Sequence, residues 1–127
     1  MSRLSGKVAM VTGCSGERGI GRAIARRLAA DGADVVLTSS GIRVAINKPT
    51  SGWGGLEAVA TEVRDAGQRA LTVALDVRSA VQIAEAMDRT LKEFGRLDIL
   101  VNNAAAPAGA DRVPVTQLSE DAWDIVL

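Results

Sequence analysis

The amino-acid sequence predicts an α/β fold with a doubly wound parallel sheet that is truncated after about four strands. Short apolar runs alternate with longer segments whose apolar residues recur at helical spacing. The runs are continuously apolar, which is typical of parallel strands covered by helices on both faces. A cluster of glycines follows the first run directly, as in a turn that leads from a strand into a helix. Together these observations indicate one α/β unit with right-handed crossovers.

The strands and helices are expected in strict alternation. The predicted strands cover residues 7–12, 34–39, 70–74 and 97–101. The first two predicted helices cover residues 20–31 and 56–66, and the last two begin after Ser79 and Ser119. Both serines are typical N-caps, and Ser79 with Gln82 has the spacing of a capping box. In this third helix, we expect the inner stripe to consist of Ile83, Met87, Leu91 and Phe94.

Length, charge and composition exclude several classes of function. The 127 residues, taken as one incomplete domain over 1–127, allow one core but not two. The formal net charge is zero, so bulk electrostatics favour neither nucleic acid nor an anionic membrane. The single Cys14 excludes an internal disulfide and offers no zinc cluster. No signal peptide or membrane-spanning stretch is evident, so we expect a cytoplasmic protein without a metal, nucleic-acid or membrane partner.

Residues 12–21 read Thr-Gly-Cys-Ser-Gly-Glu-Arg-Gly-Ile-Gly and connect the first strand to the first helix. Such a turn presents backbone N–H groups and the positive end of the helix dipole, which suits a phosphate group. The alternative is that the glycines only make the turn tight. A P-loop is a poor fit because Arg22 and Ala23 follow, where Lys and Ser or Thr are required. The simplest dinucleotide fingerprint also fails, because Ile24 stands where its third glycine should be.

The loop resembles that of the short-chain dehydrogenase/reductase family, which reads Thr-Gly-x-x-x-Gly-x-Gly. Five residues instead of three separate Gly13 from Gly19, so this loop is a lengthened variant. Asp76-Val77, after the third strand, is similar to the Asp-Val pair with which the family contacts adenine. A simple cap of the strand end is the alternative role for Asp76.

Two further motifs carry the resemblance to the end of the chain. Residues 102–105 (Asn-Asn-Ala-Ala) are similar to the family's Asn-Asn-Ala-Gly, with Ala105 in place of the glycine. In the family, these asparagines tie neighbouring strands together and the backbone passes the nicotinamide ribose. Residues 118–127 resemble the start of the helix that family members use for dimer packing, which implies a homo-oligomer when the protein is complete.

The resemblance implies a Rossmann fold with a nicotinamide dinucleotide along the carboxyl ends of the strands. The expected cofactor-binding residues are Gly13, Ser15, Arg18, Gly19, Ile20, Gly21, Ser39, Ser40, Asp76, Val77, Asn103, Ala104 and Ala105.

The second strand bears on the choice between NADP and NAD. An acidic residue at its carboxyl end would bind the ribose diol of NAD, but Ser39 and Ser40 stand there. Asp34 lies at the amino end, the wrong edge of the sheet. Arg18 and Arg43 could pair with a 2′-phosphate, or could be solvated surface residues. NADP is therefore favoured over NAD.

One aromatic residue in the glycine-rich segment 41–55 has two alternative roles. Trp53 could cover the adenine or pack as a plug on the sheet edge, and the plug is favoured.

Catalysis in the family uses a Tyr-x-x-x-Lys motif with a nearby Ser and Asn. The sequence contains no Tyr, so no catalytic residue is predicted. We expect the cofactor-binding half of an NADP-dependent oxidoreductase that interconverts a carbonyl and an alcohol, with a 3-oxoacyl thioester as one candidate, and no activity of the isolated chain.

Three alternatives stay open. The chain could be a non-catalytic dinucleotide-binding module, or a half that another chain completes. A binder of another dinucleotide or of S-adenosylmethionine is the third, but it is disfavoured because no acid ends the second strand.

Overall fold

The computed structural model describes residues 2–41, 52–106 and 112–126. Within these ranges the strands are β1 (Val8–Val11), β2 (Asp34–Ser39), β3 (Ala70–Ala74) and β4 (Ile99–Val101). The α-helices in the same ranges are α1 (Ile20–Ala30), α2 (Leu56–Asp65), α3 (Ala80–Phe94) and α4 (Glu120–Val126), and a 3₁₀ turn covers Val115–Gln117. The predicted strands and helices are therefore confirmed, and their ends differ from the prediction by two residues at most.

The four strands form one parallel sheet in the order β3-β2-β1-β4. The pairing of β1 with β2 runs from Val8 opposite Asp34 to Val11 opposite Leu37. The chain thus steps outwards from β1 to β2 and β3, and then crosses back to place β4 on the other side of β1. This reversal creates a switch point between β1 and β4, the position at which doubly wound sheets bind ligands. The predicted doubly wound parallel sheet is confirmed.

Helices cover both faces of the sheet. The buried residues on the face of α1 and α2 are Val11, Cys14, Ala25, Ala29, Val35, Leu37, Val59, Ala60 and Val63. Those on the face of α3 are Val8, Met10, Val36, Val73, Leu75 and Ala86. Successive strand residues point to opposite faces, so each apolar run supplies both cores at once. This is why the strands read as continuously apolar.

Helix α3 packs on the sheet through smaller residues than predicted. Its buried residues are Ala86 and Thr90, and Thr90 Oγ1 donates to the Ala86 carbonyl at 2.8 Å. Ile83 and Leu91 of the predicted stripe are 41% and 48% exposed, so their assignment to the inner face was wrong. Met87 and Phe94 of the same stripe are partly buried and pack against this core, beside the small Ala86 and Thr90 side chains.

The amino terminus of α3 forms only half of the predicted capping box. The Gln82 N–H donates to Ser79 Oγ at 3.2 Å, as an N-cap requires. The Gln82 side chain instead accepts from the Asp76 N–H at 2.8 Å, so it does not return to Ser79. The glutamine thereby ties the start of α3 to the end of β3.

β4 is joined to β1 through Asp98, which directly precedes it. The Val8 N–H donates to Asp98 Oδ2 at 2.9 Å, and the Asp98 N–H donates to the Val8 carbonyl at 2.9 Å. Arg96 adds two bonds to the same carboxylate, at 2.7 and 2.8 Å. The hydrogen bond from Arg96, followed by that from Val8, lowers the pKa of Asp98 to about 2.

Candidate functional site

The carboxyl ends of β1, β2, β3 and β4 bring the predicted site residues to one edge of the sheet. Asp34 lies at the opposite edge, as predicted, where its carboxylate accepts from the Arg69 N–H at 2.8 Å and pairs with Arg69 Nη2 at 3.0 Å. It is therefore a link between β2 and the start of β3 and not part of the site.

Two glycines of the loop between β1 and α1 are required by the protein itself. Gly13 has a φ of 67°, and a Cβ there would meet Ala104 Cα at 2.7 Å. A Cβ on Gly21 would lie 2.8 Å from both Asn103 Nδ2 and Cys14 Cβ. Distances under 3 Å to backbone and packed side chains demand glycine. At these two positions, packing within the tight turn is enough to explain why the residue is glycine.

Gly16 and Gly19 are different, because the described protein atoms leave room for a side chain at both. A Cβ on Gly19 would meet the Gly16 carbonyl oxygen at 3.4 Å, and one on Gly16 would have nothing closer than 3.7 Å. Gly19 is also the N-cap of α1, with φ −78° and ψ 151° and no side-chain cap. The first N–H groups of a helix lack intrahelical acceptors, so they are available to an anion there. The clearance and the donors together fit a diphosphate.

The switch point between β1 and β4 is fixed by Asn103. Its Nδ2 donates to the carbonyls of Thr12 at 3.0 Å and Gly13 at 3.1 Å. In return, Thr12 Oγ1 accepts from the backbone N–H groups of Asn103 at 3.1 Å and Ala104 at 3.0 Å. Asn103 thus joins the ends of the two strands, whereas the neighbouring Asn102 and Ala105 are exposed. The glycine loop and the 102–105 segment are therefore in direct contact.

A cavity of about 250 Å³ lies beside the glycine loop, at the carboxyl ends of β2 and β3. Its described lining residues are Ser15, Ser39, Ser40, Gly41, Leu56, Thr72, Val73 and Ala74, none of which is acidic. Ser39 Oγ donates to Ser15 Oγ at 3.0 Å and accepts from the Gly41 N–H at 3.3 Å. The cavity therefore combines apolar walls with hydroxyl groups at the end of β2, a surface suited to an adenosine ribose.

The Asp76-Val77 pair follows β3 at the same edge. The Asp76 carboxylate accepts from the Arg78 N–H at 3.0 Å and pairs with Arg78 Nη2 at 2.9 Å. These hydrogen bonds from Arg78 favour the ionised form of Asp76 and lower its pKa. Val77 is 45% exposed beside it. Asp76 forms the strand-end turn named as its alternative role, and a carboxylate can also accept from an adenine amine.

The remaining residues of the loop differ in exposure, and only the exposed ones can contact a ligand. Arg18 is exposed, and the side chain of Ile20 at the start of α1 is 72% exposed. Cys14 is fully buried and donates to the Val11 and Thr38 carbonyls, and burial raises its pKa to about 11. Its side chain therefore does not face a ligand. Arg43 lies outside the described residues.

Trp53 has a role that was only partly expected. Its Nε1–H donates to the Ser15 carbonyl at 2.8 Å, and its ring packs against the core on the face of α1 and α2. The guanidinium of Arg22 stacks on the ring at 4.5 Å, donates to the Glu17 carbonyl at 2.7 Å and pairs with Glu62 at 2.8 Å. Trp53 thus packs as a plug, the favoured alternative, and it also makes a hydrogen bond to the glycine loop. In the sequence, this contact with the glycine loop was indicated only by the position of Trp53 as the one aromatic residue in the segment 41–55.

Two classes of site are not found within the described part of the chain. No cluster of three or more metal-ligating side chains occurs there. Among the helices described, none combines the length and apolar character needed to cross a membrane.

Comparison with known proteins gives consistent matches over the whole sheet. Residues 7–127 match the family model for short chain dehydrogenase. An uncharacterized oxidoreductase of Methylorubrum extorquens is 44% identical over 104 residues, which cover 82% of this chain and 37% of that protein.

Two solved structures superpose on the chain. Carveol dehydrogenase from Mycobacterium avium, in complex with NAD, superposes with a TM-score of 0.81. The two are 31% identical, and the match covers 98% of this chain and 44% of the carveol dehydrogenase chain. A short chain dehydrogenase from Burkholderia cenocepacia, in complex with NADP, has a TM-score of 0.74 at 42% identity, also over 98% and 44%. The chain spans less than half the length of these relatives.

Proposed function

Because the chain belongs to the short-chain dehydrogenase family, an oxidoreductase family, we propose that its residues hold NADP for the interconversion of an alcohol and a carbonyl compound. The observation that carries the proposal is the clearance at Gly16 and Gly19. The fold itself does not require glycine at these two positions, so the open space is best explained by a ligand that approaches the backbone. The adjoining N-terminus of α1 supplies donors for a negatively charged group.

We assign a different group of site residues to each part of the cofactor. We assign the diphosphate to Gly13, Ser15, Gly19, Ile20 and Gly21, since these residues form the loop and the first turn of α1. The adenosine belongs to the cavity lined by Ser39 and Ser40, with Asp76 and Val77 beside β3. The nicotinamide ribose is assigned to Asn103, Ala104 and Ala105 at the switch point. When bound, the nicotinamide supplies or accepts the hydride.

The preference for NADP over NAD rests on charge at the end of β2. None of the described residues lining the cavity carries the carboxylate that would bind the 2′ and 3′ hydroxyls of NAD, and would repel a 2′-phosphate. Ser39 and Ser40 offer hydroxyl groups there, and the exposed Arg18 is the candidate cation for the phosphate. Similar proteins of known structure are complexes with NADP in one case and with NAD in another, so the preference for NADP is supported only by the residues of this chain.

A fluorescence titration with NADPH and NADH tests the cofactor assignment. We expect tighter binding of NADPH, because the 2′-phosphate gains contacts that NADH lacks. Competition with 2′,5′-ADP should displace NADPH more effectively than ADP does. Equal affinities, or tighter binding of NADH, would overturn the assignment of NADP.

The substrate belongs to the whole protein and is proposed only as a class, an alcohol or carbonyl compound, with a 3-oxoacyl thioester as one candidate. No Tyr occurs in the sequence, so the Tyr-x-x-x-Lys proton donor of the family is not among these residues. We therefore propose that the 127 residues bind the cofactor without reducing a carbonyl. Turnover by this chain in a spectrophotometric assay at 340 nm would show that another group donates the proton.

A further inference from the structure

Trp53 holds one particular peptide of the glycine loop. Its Nε1–H donates to the Ser15 carbonyl oxygen at 2.8 Å, across 38 positions of sequence. The ring is partly buried against the core on the face of α1 and α2, together with Ile24, Leu28 and Leu56. An indole N–H usually finds an acceptor when the ring is buried, and here that acceptor belongs to the loop. The contact is therefore anchored in the core and ends on the loop.

The indole is itself fixed from its other side by charged groups. The Arg22 guanidinium lies 4.5 Å from the centre of the ring and donates to the Glu17 carbonyl at 2.7 Å. This is a second hydrogen bond to the loop, besides that from Trp53. Glu62 of α2 accepts from Arg22 Nε at 2.8 Å and pairs with Arg26 at 3.0 Å. The side chain of Arg22 is only 27% exposed. Ring, guanidinium and carboxylate together form a brace between α1, α2 and the loop.

The peptide held by this brace has a defined geometry. The C=O of Ser15 and the N–H of Gly16 belong to the same planar unit, and the described chain contains no cis peptide. In a trans peptide, these two groups point in opposite directions. The indole fixes the carbonyl on its own side, so the Gly16 N–H is directed away from the indole. The Ser15 hydroxyl, bound to Ser39 at 3.0 Å, fixes the same residue at the cavity.

We propose that Trp53 is a positioning residue that sets the orientation of the Ser15–Gly16 peptide, and thereby aims the Gly16 N–H at the diphosphate of the bound dinucleotide. This inference rests on the proposed function. Through this contact, the side chain of a distant segment restrains a loop that has five residues between Gly13 and Gly19. It also makes the segment that carries Trp53 part of the diphosphate site without contact to the ligand.

The test compares Trp53→Phe with a matched Trp123→Phe control. Phenylalanine keeps a ring against the core and under Arg22 but lacks the N–H donor. Trp123 lies on α4, is 51% exposed, and is the only other tryptophan. Affinities for NADP and for adenosine 2′-monophosphate are measured by calorimetry, because only NADP contains a diphosphate.

We expect Trp53→Phe to weaken NADP binding about 3- to 10-fold, the effect of one lost hydrogen bond, with affinity for adenosine 2′-monophosphate unchanged. Trp123→Phe should leave both affinities unchanged. Equal NADP affinity in the two variants would overturn the inference. An equal loss for both ligands would also overturn it, because Trp53 would then act on the adenosine. If the wild-type protein binds NADP no better than adenosine 2′-monophosphate, the proposed dinucleotide function itself fails.

A spectroscopic measurement keeps the test decisive if Trp53→Phe does not fold. In Trp123→Phe, Trp53 is the only tryptophan, and its emission on excitation at 295 nm reports its own surroundings. We expect saturating NADP, but not adenosine 2′-monophosphate, to shift or quench that emission, because a phosphate oxygen that accepts from the Gly16 N–H polarises the same peptide whose carbonyl accepts from the indole. An emission unchanged by NADP would contradict coupling between Trp53 and the diphosphate site.

Discussion

The glycines in the loop between β1 and α1 fall into two kinds, according to what a Cβ added at each would contact. At Gly13 and Gly21 it would collide with Ala104, Cys14 or Asn103, whereas at Gly16 and Gly19 it would not. Sequence spacing alone gives all four glycines the same apparent purpose. Their division into packing positions and ligand clearance depends on which segments lie opposite each of them.

This division predicts opposite behaviour for two substitutions. Gly19→Ser should raise stability by about a few tenths of a kcal/mol, because serine is a better N-cap than glycine and meets only ordinary contacts. The same side chain should weaken NADP binding by more than about tenfold, since it fills the clearance and occupies the helix donors. Thermal unfolding and calorimetric titration measure the two effects separately.

Gly21→Ala is the matched control. We expect a loss of about 1–3 kcal/mol in the free energy of unfolding, because the methyl group overlaps Cys14 and Asn103. Retained NADP affinity in Gly19→Ser would discredit the diphosphate assignment. Unchanged stability in Gly21→Ala would contradict the packing argument.

At the scale of elements, the ends of strands and helices are tied together by side chains that precede or follow them. Gln82 joins α3 to the end of β3, and Asp98 joins β4 to the start of β1. Ser119 caps α4 as predicted, since its Oγ accepts from the Ala122 N–H at 3.1 Å. The caps could be predicted because they are local, whereas the partner of Gln82 depends on where β3 ends.

The Asp98 link predicts a specific loss of stability in acid. Hydrogen bonds from Arg96 and Val8 hold the native pKa at about 2, below the value of about 3.9 expected in the unfolded chain. The carboxylate therefore stabilises the native state fully above about pH 4, and this contribution disappears as the pH falls towards 2. Asp98→Asn should lower stability at pH 7 and give a shallower decline between pH 4 and 2.

Urea unfolding at a series of pH values measures this difference. The control is Asp88→Asn, an exposed position on α3, which should keep the wild-type pH profile. Asparagine can still accept from the Val8 N–H, so the change at Asp98 reports the charge and its pairing with Arg96. Identical acid profiles for Asp98→Asn and the wild type would rule out this role.

At the scale of the whole molecule, the site depends on four strands that meet at one edge. The glycine loop follows β1, the serines end β2, Asp76 follows β3 and Asn103 follows β4. A ligand that touches all four ends binds only the folded state and should stabilise the entire domain. The homo-oligomer implied by the family resemblance stays a prediction.

Thermal unfolding with and without cofactor tests this linkage. NADP at about 100 times its dissociation constant should add about 2.7 kcal/mol to the free energy of unfolding and raise the unfolding temperature. NADH at the same concentration should give a smaller shift. Gly19→Ser, with its affinity weakened at least tenfold, should gain no more than about 1.4 kcal/mol from the same NADP concentration. A shift of equal size in Gly19→Ser would place the bound nucleotide elsewhere on the protein.

The sequence by itself determined the order of strands and helices, the helix caps and the motifs at the carboxyl ends of the strands. These features are encoded in residues close together in the chain, through periodicity, capping preferences and glycine. Periodicity failed at Ile83 and Leu91, because the small residues Ala86 and Thr90 decided which face of α3 approaches the sheet.

Only the tertiary structure decided which loop glycines leave room for a ligand and what Trp53 contacts. Both depend on segments far apart in sequence that the parallel sheet brings together: Gly13 lies against Ala104, and Ser15 against Trp53. The physical reason is that steric clearance and hydrogen-bond partners are properties of opposing surfaces. A sequence pattern describes one surface, and the fold supplies the other.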